Sequence, residues 1–460
     1  MPVSISYQEL YRLEYEQMQR EGYALEGEAR ASAGAGTLPI AAVRPEGTIH
    51  TPAEEAYWQE AYARLIAGKA RGIRADFPYV EPNDLESILA DAPPPPPLVP
   101  LPEADYEDRV RGGWFGRCAA VILGKPLEMG FNRQQVKDYL ASVDAYPLDD
   151  FVPAASEKLG ITLRRDCVPS TRGNVAYVQS DDDIHYTICS LLLMEEHGED
   201  FTHWDAGKNL LDNITYHWVW TADRALYGNL INLRHDEPYD AQCARMGALL
   251  NPWRESMCPQ LKSDFWGYIT PGQGRRGARM MHRLASLSAT QNGLYGGLFM
   301  QGCVSAALTQ HPTVDAILRG GLSNIPRRSR LYEAVERVMA WHAQGAGWEA
   351  VCDRIYAAYG DWYFAGAINN VCFIVLALLE GNLDFESTIT TAVMCGTDTD
   401  CNSANAGSIV GAALGYCALP RKWIDPLHDQ VRSCVAGFGW GSISELAART
   451  VAARARMDAR

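Results

Sequence analysis

Residues 396–415 read GTDTDCNSANAGSIVGAALG. Two aspartates, Asp398 and Asp400, stand two apart and open a run of small residues. Residues two apart on a helix point in different directions, so the pair fits a turn or a helix start, where both acids can converge on something positive. The helix dipole also favours negative charge there. Behind them Gly407, Gly411 and Gly415 recur every fourth residue, and so do Ala404, Ser408 and Ala412. On a helix this makes a nearly smooth face that lets a second helix backbone approach closely. The segment is too short and too polar at its start to be a membrane helix. Taken alone, the motif reads equally as an acid-rich helix cap or as a cation site.

Two other stretches place acids at helix ends. Residues 178–200, VQSDDDIHYTICSLLLMEEHGED, set Asp181, Asp182 and Asp183 in front of a run with Ile184, Ile188, Leu191 and Leu192. That spacing predicts an amphipathic helix beginning just after the acids. One acid would suffice as a cap. Three adjacent carboxylates repel one another unless water or a shared cation screens them, and hard divalent cations such as Mg²⁺ take oxygen ligands of this kind. His185, three residues past Asp182, is expected to face solvent or a neighbouring helix. Residues 108–131, DRVRGGWFGRCAAVILGKPLEMGF, form a small-residue helix that stops at Gly124 with Pro126 beyond it, leaving Glu128 in the following loop.

The rest of the chain supports a helical reading. Its 460 residues are 47% hydrophobic and 21% charged, enough core for one large domain or two ordinary ones. A net charge of −15 argues against a general nucleic-acid binder. The first residues lack a signal pattern and no apolar run reaches membrane-spanning length, which predicts a cytoplasmic protein. The 12 cysteines are scattered without a CxxC pair and read as reduced core residues. Helices are predicted over 105–124, 184–197, 204–219, 279–289, 295–310, 330–343, 366–380, 386–394 and 401–415. Residues 1–92 form a helical N-terminal extension. A Pro-rich linker at 93–104 should act as an extended spacer. The main helical domain spans 105–445. The basic tail 446–460 reads as a solvated helix or a frayed end.

The three acidic motifs, in this order, resemble the ADP-ribosylglycohydrolase family. Its opening pattern, DRIRGxxxGxxxGDxLGxPxE, corresponds to DRVRGGWFGRCAAVILGKPLE here, its TDDTxMT to DDDIHYT, and its GxDTDTxxAxxGxxxGxxxG to GTDTDCNSANAGSIVGAALG. The linking helices resemble those of a bacterial branch with a DTDCN motif, and the likeness covers roughly 105–420. It implies an all-α orthogonal multi-helix bundle, here with an added N-terminal helical region, and two Mg²⁺ ions, or one, with Mn²⁺ able to substitute. Carried over position by position, Asp181, Asp182, Asp183, Asp398 and Asp400 would be metal ligands, and Cys401 would stand at a ligand position. Glu128 and Asp182 would be the catalytic groups.

The implied function is Mg²⁺-dependent hydrolysis at the anomeric carbon of an ADP-ribosyl, nucleoside or related ribosyl substrate, either protein-linked or a small molecule of specialised metabolism. The alternative is a non-catalytic ligand-binding or structural member of the same fold. This chain departs from the pattern at several positions. Asp181 replaces a threonine, Ile184 replaces the threonine after the acid pair, and Val121 replaces an aspartate. Leu284, Ala289 and Gly366 stand where the branch carries Asp and His residues. Cys401 replaces the threonine that closes the second motif, and a thiol is a soft ligand poorly suited to Mg²⁺. A DxD also marks haloacid-dehalogenase-type phosphotransferases, but there it follows an early β-strand. Here it comes late, amid helices.

Overall fold

The computed structural model describes residues 5–25, 51–128, 131–360 and 363–459. The fold is all-α. Its only sheets among the described residues are two short antiparallel ribbons, Ala155–Ser156 with Ile161–Thr162 and Gln430–Arg432 with Trp440–Ser442. That removes the phosphotransferase alternative, which needs alternating strands and helices. The helices used below are α1 (Tyr7–Arg20), α2 (Pro52–Ala67), α3 (Glu103–Gly124), α4 (Asp182–His197), α5 (Gln291–Ala307), α6 (Ala367–Gly381), α7 (Thr399–Leu414) and α8 (Ile443–Asp458).

At the centre α3 and α7 run antiparallel, with Gly112 against Gly411, Gly116 against Gly407 and Gly124 against Thr399. The small-residue face predicted for α7 is therefore used as expected. A Cβ at Gly407 would lie 2.5 Å from the Gly116 carbonyl oxygen, so the two backbones touch with no side chain between them. Hydroxyls then bond across the seam, Ser403 Oγ to the Ala120 carbonyl and Thr399 Oγ1 to the Gly124 carbonyl, each at 2.7 Å. The almost wholly buried α5 and α6 pack around this pair.

Helix starts differ from the predicted ones by the caps. α4 begins at Asp182 because the Asp181 side chain accepts from the Asp183 amide, and α7 begins at Thr399 directly after Asp398. The helix expected over 204–219 ends at Asn213, where Ile214 turns extended, and only a single turn, Tyr216–Trp218, follows. All 12 cysteines are free, and ten of them are buried.

The C-terminal segment is neither solvated nor frayed. α8 buries Ile443, Leu446, Ala447, Thr450, Ala453 and Met457, and Trp114 Nε1 of α3 donates to Thr450 Oγ1 at 3.0 Å. The arginines on its outer face hide a helical stripe of small and apolar residues.

α1 and α2 form a small core of their own from Leu10, Tyr11, Met18, Trp58, Tyr62 and Leu65, closed by Ala225 of the main body. Arg254, 1% exposed, ties this layer down through Glu14 at 2.7 Å and Glu21 at 2.7 Å. Gln17 Nε2 donates to Glu255 at 2.7 Å. The proline run is extended and lies along the main body: Arg275 Nη2 donates to the Pro93 carbonyl, and the Gln310 amide donates to that of Val99.

Adding one methyl group to the α3–α7 seam is expected to be costly. Gly116→Ala and Gly407→Ala should each destabilise the protein by about 1–3 kcal/mol, the usual cost of overpacking. Gly439→Ala, where an added Cβ meets nothing within 4 Å, should change stability by less than about 0.5 kcal/mol. Thermal melting of the three variants reads the difference.

Candidate metal centre

Backbone contact between α3 and α7 places the turn after α3 beside the start of α7. The turn Lys125–Leu127 delivers Glu128, and Asp398 directly precedes α7, without a side-chain capping bond, with Asp400 in its first turn. The loop before α7 is held in an unusual shape. Gly396 has φ 77°, and Thr397, a β-branched residue, has φ 66°. Such a conformation costs of order 1–3 kcal/mol and persists only where neighbours impose it. Here the Thr397 amide donates to the Phe131 carbonyl at 3.0 Å. Thr397 Oγ1 and Asn402 Nδ2 both donate to Asn370 Oδ1, at 3.3 and 2.9 Å.

The start of α4 arrives as the third piece. Three sets of side chains bring one ligand atom each to within 4.8 Å of one another: Asp181, Asp182 and Asp183; Glu128, Asp398 and Asp400; and Asp183, Asp400 and Cys401. All the acids expected from the sequence thus converge, from three separate segments. Asp182 and Glu128 keep some solvent exposure, whereas Asp181, Asp183, Asp398, Asp400 and Cys401 are buried.

Two cations inside the cluster escaped the sequence reading. Lys125 Nζ lies 2.5 Å from Asp181 Oδ2, and the lysine is only 8% exposed. Arg117, fully buried in α3, donates to Asp183 Oδ1 at 2.9 Å, to the Asp183 carbonyl at 2.7 Å and to Asp264 Oδ2 at 2.6 Å. Lys125 stood inside the opening motif but at a position its pattern leaves free. Arg117, in the same helix, gave no signal, because its partners lie 66 and 147 residues away. Arg164 reaches Glu128 Oε2 at 3.4 Å.

The electrostatics divide the cluster. Burial raises the pKa of Asp181, but the Lys125 ammonium outweighs it and holds the group below the ordinary aspartate range. Burial, then neighbouring carboxylates, push Asp182 and Asp400 well above that range. Burial also raises Asp183, against the pull of Arg117, and lifts Asp398 more moderately. Glu128 is pushed up to about 7 by burial and by the charges of Asp398 and Asp181. Three buried oxygens, Asp183 Oδ2, Asp398 Oδ1 and Asp400 Oδ1, have no hydrogen-bond partner among the described residues. A buried acceptor without a donor is costly. Buried carboxylates with such oxygens, whose ligand atoms gather in overlapping sets within 4.8 Å, offer the donor chemistry of a divalent cation site, so these residues fit the metal that the sequence implies.

Other marked positions lie outside the cluster. His185 does not face solvent; it packs on Trp218 of the helical turn Tyr216–Trp218. It is buried edge-on against Trp218 and bonds Cys434, whose amide and Sγ lie 3.2 Å from its two ring nitrogens, and burial lowers its pKa to about 4. Val121, Leu284 and Ala289 are apolar core, and Gly366 caps α6.

Among solved structures, 46 chains match this one. One of them, titled "ADP-ribosylglycohydrolase-related protein complex", is 18% identical with a TM-score of 0.45, over 77% of this chain and 99% of that one. None of the curated proteins matches in sequence. No helix among the described residues is long and apolar enough to cross a membrane. The model of the family described as ADP-ribosylglycohydrolase matches residues 102–459, which takes in all three acidic motifs and α8. The chain therefore belongs to the ADP-ribosylglycohydrolase family, and its function is of the glycohydrolase type.

Proposed function

We propose that the protein is a Mg²⁺-dependent glycohydrolase of the cytoplasm. Its substrate would carry an ADP-ribosyl or related ribosyl group, on a protein or as a small molecule. The observation that carries this reading is the convergence of acids from three chain segments, with buried oxygens that lack any donor. Asp398 and Asp400, with Asp181, Asp182 and Asp183, would hold the metal. When bound, a divalent ion supplies Lewis-acid polarisation and an acidified water at the anomeric carbon.

The remaining work falls to this chain's own groups. Asp182 and Glu128 are the acids of the cluster that keep some exposure, so they border the space where substrate enters. Glu128, tethered by Arg164, is placed to hold or move a proton at its carboxylate as the leaving group departs. Lys125 keeps Asp181 ionised, and Arg117 holds the Asp183 side chain in place in the absence of substrate. The turn at Thr397, locked by Asn370, fixes where Asp398 points.

One observation favours the second reading, a non-catalytic member that binds a ligand without turnover. The Lys125–Asp181 pair already supplies a positive charge inside the acidic cluster. Calorimetric titration separates the two readings. The glycohydrolase reading expects saturable Mg²⁺ or Mn²⁺ binding that raises the melting temperature, reversed by a chelator. Lys125→Met should tighten that binding, since it removes a competing cation from Asp181. No binding by the wild type, with a melt unaltered by Asp398→Ala, would leave only the second reading.

The substrate is found by a hydrolysis screen with Mg²⁺. The panel runs from ADP-ribosyl-arginine and ADP-ribosyl-serine through NAD-derived nucleotides to simple ribosides. Turnover of at least one member is expected, falling at least about a hundredfold in Asp398→Ala. Turnover that survives metal removal or that substitution contradicts the mechanism.

A further inference from the structure

Cys401 occupies a position of unusual chemistry. It lies in the first turn of α7, 6% exposed, next to Asp400. Its sulfur and one carboxylate oxygen each from Asp183 and Asp400 fall within 4.8 Å of one another, and all three residues are buried. Asp183 Oδ2 and Asp400 Oδ1 are among the oxygens that no donor satisfies. The second oxygen of Asp183 is already spent on Arg117 at 2.9 Å. In this corner one sulfur and two buried carboxylates, each carrying an oxygen that lacks a donor, bring a ligand atom apiece to within 4.8 Å of one another. The neighbouring corner, Asp181 with Asp182, is all oxygen and holds the Lys125 ammonium.

We propose that the Asp183–Asp400–Cys401 corner is a mixed oxygen–sulfur site that takes a softer divalent ion, of the Co²⁺ or Zn²⁺ kind, in preference to Mg²⁺ and Mn²⁺. The inference rests on the reading of the cluster as a metal centre and adds the identity of the ion at one corner. The physical reason is ligand softness. Thiolate binds borderline and soft cations well, and Mg²⁺, which sheds water reluctantly, poorly. A hydroxyl at this position would complete an all-oxygen set, whereas the sulfur splits the cluster into a hard corner and a softer one.

The thiol must ionise to bind. Burial, and then the surrounding aspartate charges, keep it protonated while no cation is present. On coordination the S–H bond breaks, the sulfur electron pair binds the ion and the proton leaves to buffer, with no change of oxidation state.

The test uses the full chain and Co²⁺ as the probe, read by absorption rather than activity. Wild-type protein titrated with Co²⁺ should develop a thiolate-to-cobalt charge-transfer band in the near ultraviolet. Cys401→Ser should lose that band while still binding Co²⁺ through the carboxylates. In the wild type, Zn²⁺ should bind at least about tenfold more tightly than Mg²⁺, and Cys401→Thr should narrow that gap. Co²⁺ binding without the band in the wild type, or a band that persists in Cys401→Ser, overturns the proposal and leaves the metal-centre reading standing. If Cys401→Ser folds poorly, Cys401→Ala serves the same comparison, because a band from any of the other free cysteines would persist in it. Failure of every divalent ion to bind would instead overturn the metal-centre reading itself.

Discussion

The backbone contact between α3 and α7 is the constraint on which the rest depends. With glycine facing glycine, nothing but main chain lies between the helices at their crossing, and the side-chain hydroxyls of Thr399 and Ser403 bond the opposite carbonyls. Distance and register are thereby fixed together, because a slip of one residue would drive a Cβ into a carbonyl. Since the helices run antiparallel, the end of one and the start of the other must emerge at the same place. The acids at those ends are brought together by a steric fit elsewhere in the fold, against their own repulsion.

That repulsion is managed unevenly. Arg117 lies in the seam helix itself and answers both Asp183 and Asp264 from full burial. Lys125 answers Asp181 from the turn that ends the same helix. One helix therefore supplies the close contact and both buried cations. The start of α7 receives no comparable compensation, and two of the three partnerless oxygens sit there. Protein charges thus offset the carboxylates on the α4 side of the cluster more than those on the α7 side.

The sequence was most legible where the physics is local. A four-residue repeat of small side chains can only mean a close helix contact, and consecutive acids before an apolar run can only begin a helix. Glu128 was not legible in that way: alone it is a loop glutamate, and only the family resemblance marked it. Lys125 and Arg117 were invisible because their meaning lies in partners far along the chain. α8 was misread because alanine and arginine look solvated in a row, although every third or fourth residue is small enough to pack. For His185, expected to face solvent or a neighbouring helix, the partner Cys434 was not legible, because the ribbon segment carrying it lies 249 residues away.

The layer formed by α1 and α2 lies outside the residues that match the family, yet it is not independent of them. Arg254 belongs to the matched region, and both of its carboxylate partners, Glu14 and Glu21, come from α1. Removing the partners of a buried charge typically costs about 3–5 kcal/mol, a large part of a domain's whole margin. Glu255, beside Arg254, bonds Gln17 through its side chain, while its carbonyl accepts from the Ala367 amide at the start of α6. From α6, Asn370 holds the turn before Asp398. A chain trimmed to the family's borders would therefore carry a stranded guanidinium at one end of a short relay whose other end shapes the acidic centre. In this protein the hydrolase module and its extension make one unit of inheritance, since neither can be exchanged without mending the other.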